Sequence, residues 1–227
     1  MISDELKTGA TVVLNFGEDR AMVTHQGAMK HLGISDITSD MLSMAKHLHF
    51  SSYFLQPGFK DNLNNLFRMA KKVGMTTSFD AQWDPQEKWE LDYKIILRYV
   101  DVFLPNETEL LKLTGKKTIE AAIDLIKDVA KIVVVKLGNK GSISAYEGKT
   151  LFKAAFLNES VVDAIGAGDS FNAGFIWKFI QDKAIETCQL FGNLLGAVST
   201  TAPGGTAAFT NIKATMKIAK EKFGYEE

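Results

Sequence analysis

The stretch Val162-Asp163-Ala164-Ile165-Gly166-Ala167-Gly168-Asp169-Ser170-Phe171-Asn172-Ala173-Gly174 decides how the rest of the chain is read. It follows a hairpin pattern and opens a helical one near Ala167, so its glycines fall at a loop-to-helix junction. At such a junction the first backbone N–H groups lack an intrahelical acceptor, and the helix dipole adds partial positive charge. Gly166 and Gly168 omit the Cβ atoms that would hold a phosphate away. Asp169 then stands in the first helical turn, beside the place an anion would take. A carboxylate there is electrostatically costly. One role that justifies it is general base, taking the proton of a hydroxyl as that oxygen attacks phosphorus. A plainer reading stays open on these residues alone: aspartate is common in first turns for dipole and capping reasons.

Working outward, apolar and β-branched runs alternate with helical periodicity from about residue 48. Strands are expected at 48–54, 75–80, 101–104 and 131–137, and a hairpin at 141–146 and 150–156 around Glu147-Gly148-Lys149. Helices are expected at 61–73 (ended by Gly74), 90–99, 107–113 (capped by Asn106, stopped by Gly115) and after the Thr118 cap. Three more follow near 167–181, 184–200 and 211–223. The nearly unbroken β-branched run at 131–137 is typical of a strand covered on both faces. The alternation predicts a three-layer α/β/α domain with a mostly parallel central sheet. The first 25 residues differ. Residues 11–16 and 21–24 alternate with the β period about a turn at Gly17-Glu18-Asp19-Arg20, which describes a flap outside the helix-covered sheet.

The composition belongs to an ordinary globular chain: 227 residues, 46% hydrophobic, 23% charged, net charge −1. Near-neutral charge gives no argument for nucleic acid or a membrane surface. No apolar run reaches transmembrane length. The single cysteine, Cys188, reads as a small core residue, and one cysteine without a signal peptide points to the cytoplasm.

Rival phosphate motifs fail. There is no G-x-x-x-x-G-K-[ST], and Phe171 stands where the third glycine of G-x-G-x-x-G would be. The segment Asp163–Asp169 instead resembles the D-T-x-G-A-G-D signature of the ribokinase-like (PfkB) carbohydrate kinases. Pro105-Asn106-Glu107-Thr108-Glu109-Leu110 is similar to that family's N-x-x-E segment. Val135-Lys136-Leu137-Gly138-Asn139-Lys140-Gly141 resembles its nucleotide-binding strand and turn. The resemblance covers essentially the whole chain from the N-terminal hairpin to the C-terminus, with the three motifs in order.

The resemblance implies the ribokinase-like fold, with residues 1–25 as a partial β lid hairpin and 26–227 as the α/β nucleotide-binding kinase domain. It implies ATP-dependent phosphorylation of a sugar hydroxyl. Asp169 matches the catalytic base, and the amides of Gly166, Ala167, Gly168 and Asp169 match the anion hole for the transferred phosphoryl group. Asn106 and Glu109 match residues that organise Mg²⁺ and its waters, although their spacing suits a helix capping box equally well. Lys136, Gly138 and Gly141 match positions around the nucleotide phosphates and ribose, and Asn193 a helix flanking the adenine. Asp163, Ile165, Ser199, Ala202 and Gly204 match a K⁺ site built mostly from backbone carbonyls. The implied partners are ATP and a small sugar, with a homodimer formed through the lid.

The pattern also departs from the family. Ala164 replaces the usual threonine. The family's first β-α units, with the sugar-contacting Asp and the Gly-Gly segment, are expected before the hairpin, so the chain reads as truncated there. Phe79-Asp80-Ala81-Gln82-Trp83-Asp84-Pro85 resembles the family's F-D-P-N-x-R segment, with Gln82 for Asn and Asp84 for Arg. An acid at 84 would repel a carboxylate, which argues for a neutral sugar. Trp83 and Trp89 read either as stacking platforms for a sugar or as core, and Arg20 and His25 either as flap residues facing substrate or as solvated charges. A catalytically impaired nucleotide-binding module and a nucleoside kinase are the alternative functions.

Overall fold

The protein is described as a computed structural model covering residues 4–16 and 19–226, without the side chains of residues 15–20. Two sheets are present. Strands β1 (Ala10–Phe16) and β2 (Asp19–His25) pair antiparallel as a separate ribbon. The turn residues 17 and 18, and the side chain of Arg20, lie outside the described residues. His25 is exposed.

The main sheet has six strands in the order β3 (His47–Ser51), β4 (Thr76–Asp80), β5 (Val102–Phe103), β6 (Ile132–Lys136), β7 (Ser142–Tyr146) and β8 (Lys149–Lys153). The first four are parallel; β7 runs antiparallel to β6, and β8 turns back antiparallel to β7 as the expected hairpin, so it points the same way as the first four. Helices α1 (Ser39–Ser43), α2 (Leu63–Lys72), α3 (Tyr93–Ile96), α4 (Glu107–Thr114) and α5 (Ile119–Ile126) come between the strands. Helices α6 (Ala167–Phe179), α7 (Ile185–Ser199) and α8 (Ile212–Phe223) follow them.

Apolar residues on the two sheet faces explain the layers. Phe50, Phe79, Phe103, Val133 and Val135 join Leu63, Leu66, Phe67, Leu110 and Ile126 in one core. Val102, Leu104 and Val134 point the other way, against Phe171 and Phe175 of α6. This alternation is why the central strands read as continuous apolar runs. Glycines let α7 approach α6 closely: a Cβ on Gly174 would stand 2.8 Å from the Phe191 carbonyl oxygen.

Two expected elements are shorter than their patterns, for local reasons. The strand from Leu48 stops at Ser51 because Ser52 takes a left-handed conformation with φ +56°. The helix expected at 90–99 starts late, at Tyr93, because Trp89 is also left-handed (φ +55°) and the Asp92 carboxylate caps Ile95 N–H; after Ile96 it tightens into a 3-10 turn over Leu97–Tyr99. Among the described residues, no helix is long and apolar enough to cross a membrane.

Candidate active site

The C-terminal ends of β4, β5 and β6 point toward the start of α6, and this edge collects the residues singled out in the sequence. In open α/β sheets, ligand sites form at this edge. Gly166 is the N-cap of α6 in a left-handed conformation, φ +73°, and a Cβ there would lie 3.0 Å from Gly205 Cα. It is glycine for the sake of the backbone. Gly168 differs. It is exposed, and a Cβ on it would meet only the Lys136 ammonium, at 3.7 Å. The Ala167 N–H turns back to the Ala164 carbonyl at 3.3 Å, and that of Ser170 enters the helix ladder through Gly166 O at 2.8 Å. The amides of Gly168 and Asp169 lie between them in the first turn, where the helix supplies no acceptor.

Asp169 is exposed in the first turn of α6. Gln82 reaches across from the end of β4 and donates its amide N–H to Asp169 Oδ1 at 2.7 Å. The Asp169 carboxyl is raised above its ordinary value, first by partial withdrawal from water, then by the negative charge of Asp80. Lys136 and the Gln82 bond act against the rise.

Lys136 ends β6, and its ammonium lies 2.6 Å from Asp80 Oδ2 and 3.2 Å from Asn172 Oδ1. Asn172 Nδ2 closes the triangle by donating to Asp80 Oδ2 at 2.6 Å. The lysine is therefore held over the mouth of α6. Asp80 and Asn172 are site residues that the sequence does not single out, although both lie in the quoted motifs. Asn172 falls one turn after Asp169, and Asp80 precedes Gln82 by two positions.

Asn106 and Glu109 form a reciprocal capping box at α4. Glu109 N–H donates to Asn106 Oδ1, and Asn106 N–H to Glu109 Oε2, both at 2.8 Å. Glu109 is buried, and its carboxyl is pushed up to about 7, by desolvation first and then by the charges of Asp80 and Asp169, with Lys136 and the Asn106 N–H acting against the rise. Three mutually repelling carboxylates at one end of the sheet make a place where a cation relieves electrostatic cost. With one Glu109 oxygen already accepting a backbone N–H, few protein ligands remain. That fits Mg²⁺, which keeps several waters and takes one or two carboxylates plus phosphate. Among the described residues, no group of three or more His, Cys, Asp or Glu stands ready to hold a metal by itself.

The remaining positions divide by location. Asp163 accepts N–H bonds from Ile165 at 2.8 Å and from Gly204 at 2.9 Å, so it joins the two loops on which Ile165, Ala202 and Gly204 lie. Ser199 is buried, and its hydroxyl donates to Gly196 O at 2.9 Å. Gly138 opens to solvent with φ +61°, whereas a Cβ on Gly141 would strike the Lys153 carbonyl at 2.0 Å, so Gly141 serves the approach of β8. Asn193 does not offer its amide to a ligand. It is buried, donates to the carbonyls of Lys153 and Ala154 at 3.2 Å each, and accepts from the Ser142 hydroxyl at 3.1 Å. Its place is inside the wall that α7 makes with β7 and β8.

Asp84 requires a correction. Its carboxylate is buried and accepts backbone N–H bonds from Gln86, Lys88 and Trp89 at 2.8–2.9 Å. The charge is committed to the loop, so it gives no argument against an acidic substrate. Trp89 is core, edge-on to the exposed Trp83 with ring centroids 5.2 Å apart.

Comparison with known proteins places the chain among carbohydrate kinases. Over 180 residues the chain is 31% identical to an uncharacterized sugar kinase of Archaeoglobus fulgidus, covering 79% of this chain and 70% of that one. It is 26% identical to a ribokinase of Arabidopsis thaliana, covering 96% of this chain but 58% of that protein, so it spans little more than half of this relative. The structure of Arabidopsis thaliana ribokinase complexed with ribose and ATP superposes with a TM-score of 0.78 at 24% identity, covering 95% of this chain and 70% of that one, which establishes the shared fold. The family model for the pfkB carbohydrate kinases matches residues 1–212, and the chain belongs to that family.

Proposed function

We propose that the chain acts in the ATP-dependent phosphorylation of a hydroxyl on a small carbohydrate. One observation carries this reading: a carboxylate, an ammonium and unpartnered helix amides converge at Asp169, Lys136 and Gly168. Phosphoryl transfer needs little else from a protein than positioning and charge stabilisation.

In this reading Asp169 takes the proton as the acceptor oxygen attacks the terminal phosphorus and the bond to the nucleotide's bridging oxygen breaks. The Gly168 and Asp169 amides, with the Lys136 ammonium, meet the negative charge on the transferring group. Its raised carboxyl suits Asp169 to accept a proton, while Lys136 and Gln82 keep it ionised enough to do so. Glu109 and Asn106 would hold Mg²⁺ through water, and the ion would neutralise phosphate charge. The loops joined by Asp163 would hold K⁺ through the carbonyls around Ile165, Ala202 and Gly204. Gly138 lies open for the nucleotide, and the Asn193 wall backs its base. The β1–β2 hairpin, with Val12, Met22 and Val23 each more than half exposed, suits a lid that pairs with a second copy. A cytoplasmic setting agrees with the single, buried, free Cys188.

The test is Asp169→Asn, assayed with ATP across a panel of sugars and nucleosides alongside calorimetric ATP titration. Nucleotide affinity should stay within about threefold while turnover falls by roughly three orders of magnitude or more. A loss of turnover below tenfold removes Asp169 as the base.

A further inference from the structure

Two non-glycine residues at the ends of adjacent parallel strands adopt left-handed conformations: Ser52 after β3 and Gln82 after β4, each with φ +56°. Left-handed geometry costs a non-glycine residue on the order of 1 kcal/mol and persists where the surroundings enforce it, often at functional sites. Here the two strained residues meet. Ser52 Oγ donates to Gln82 Oε1 at 2.5 Å, and Gln82 Nε2 donates to Asp169 Oδ1 at 2.7 Å. The Asp80 carboxylate holds the Gln82 main-chain N–H at 3.1 Å.

We propose that Gln82 is a positioning residue for Asp169, locking one carboxylate oxygen so that the other faces the acceptor hydroxyl. An aspartate in a first helical turn is otherwise free to swing back and cap its own helix. The Asp169 carboxylate, acceptor-only when ionised, sets which way the Gln82 amide is turned, and the Ser52 hydroxyl, able to donate or accept, holds the other end of the amide. Nε2 is thus the end presented to the carboxylate. A donor to a charged acceptor also favours the ionised form. The charged groups around Asp169 are Asp80 from β4, Lys136 from β6 and Glu109 from α4. Two are acids that disfavour its charge, so the Gln82 donor acts on the same side as Lys136. Glutamine at 82, one methylene longer than the family's asparagine, spans from β4 to α6.

The inference rests on Asp169 being the base, but its test does not need turnover. The chain is labelled with ¹³C at aspartate carboxyls, and the Asp169 signal is the one lost in Asp169→Asn. Its titration is followed in the parent, Gln82→Leu, Gln82→Asn and Ser52→Ala. Removing the donor should raise the Asp169 pKa by about one unit in Gln82→Leu, as expected for one lost hydrogen bond to a charged acceptor. Gln82→Asn should shift it comparably, because the shorter amide falls short, and Ser52→Ala in the same direction but less. Where the panel assay gives turnover, Gln82→Leu should lower kcat about tenfold, move its acid limb upward and leave the KM for ATP unchanged. An Asp169 titration unmoved in folded Gln82→Leu overturns the proposal. If that variant fails to fold, an unmoved titration in Ser52→Ala overturns it equally. Retained turnover in Asp169→Asn would instead overturn the base assignment, a separate outcome.

Discussion

The Lys136 ammonium and the Asp80 carboxylate form an ion pair at 2.6 Å in which the lysine side chain is 13% exposed and the aspartate 2%. The pair joins β4 to β6 across β5, and Asn172 ties both partners to α6. The same contact therefore holds the sheet to the helix and sets a positive charge over the helix mouth. Removing one partner leaves a buried charge without its counter-ion.

Lys136→Met should lower the unfolding free energy by about 3 kcal/mol, read from urea denaturation. Asp80→Asn with Lys136→Met should recover part of that loss while nucleotide affinity stays reduced. Equal destabilisation in the single and double variants would mean that the charge left on Asp80 is not the cause.

The two glycines of the motif should separate. Gly166→Ala should destabilise by about 1–3 kcal/mol, because φ +73° and the Gly205 backbone both reject a side chain. Gly168→Ala meets no such obstacle and should change stability by less than about 0.5 kcal/mol, while weakening nucleotide binding about tenfold by covering the first-turn amides. Thermal melts with and without nucleotide read both effects.

Asn193→Leu should cost about 2 kcal/mol by taking the amide donor from the Lys153 and Ala154 carbonyls and the acceptor from the Ser142 O–H, whose oxygen keeps its bond from Gln189. Calorimetry well below the melting temperature should show nearly unchanged nucleotide affinity. A large affinity loss without destabilisation would place Asn193 against the ligand itself.

Acid should unfold the protein earlier because of His47. Burial lowers this imidazole from 6.5 to about 4, with His49 and Lys71 acting in the same direction and Asp101 against them. Its ring nitrogens hydrogen-bond the hydroxyls of Thr76 at 2.8 Å and Ser78 at 2.7 Å. The unfolded chain thus binds the proton more readily than the folded one. The contribution is complete above about pH 6.5 and is lost as the pH falls toward 4. Melting temperature should drop between pH 7 and 5, and His47→Gln should flatten the drop without abolishing it, since His49 is lowered too. Identical slopes would exclude His47 as the source.

Periodicity and capping chemistry made most of the secondary structure legible. The caps at Asn106 and Thr118 and the left-handed stops at Gly74 and Gly115 are local events, encoded within a few residues. The segment 26–46 showed no clear period, and it holds only short turns and the five-residue α1. Ser52 and Trp89 truncate their elements through backbone conformations that no residue preference announces, because tertiary contacts impose them.

The sequence by itself determined the α/β alternation, the separate hairpin and the glycine-flanked Asp169, since periodicity and helix starts depend on near neighbours. The partners of that aspartate lay beyond its reach. Gln82 is 87 residues from Asp169, and Asp80 is 56 from Lys136 and 92 from Asn172. Only the parallel sheet, by setting strand ends side by side, brings such distant groups within hydrogen-bonding range. For the same reason only the folded chain could decide that Asp84 belongs to its loop and Asn193 to its wall. Each is a polar side chain whose role depends on which backbone groups packing has left for it to satisfy.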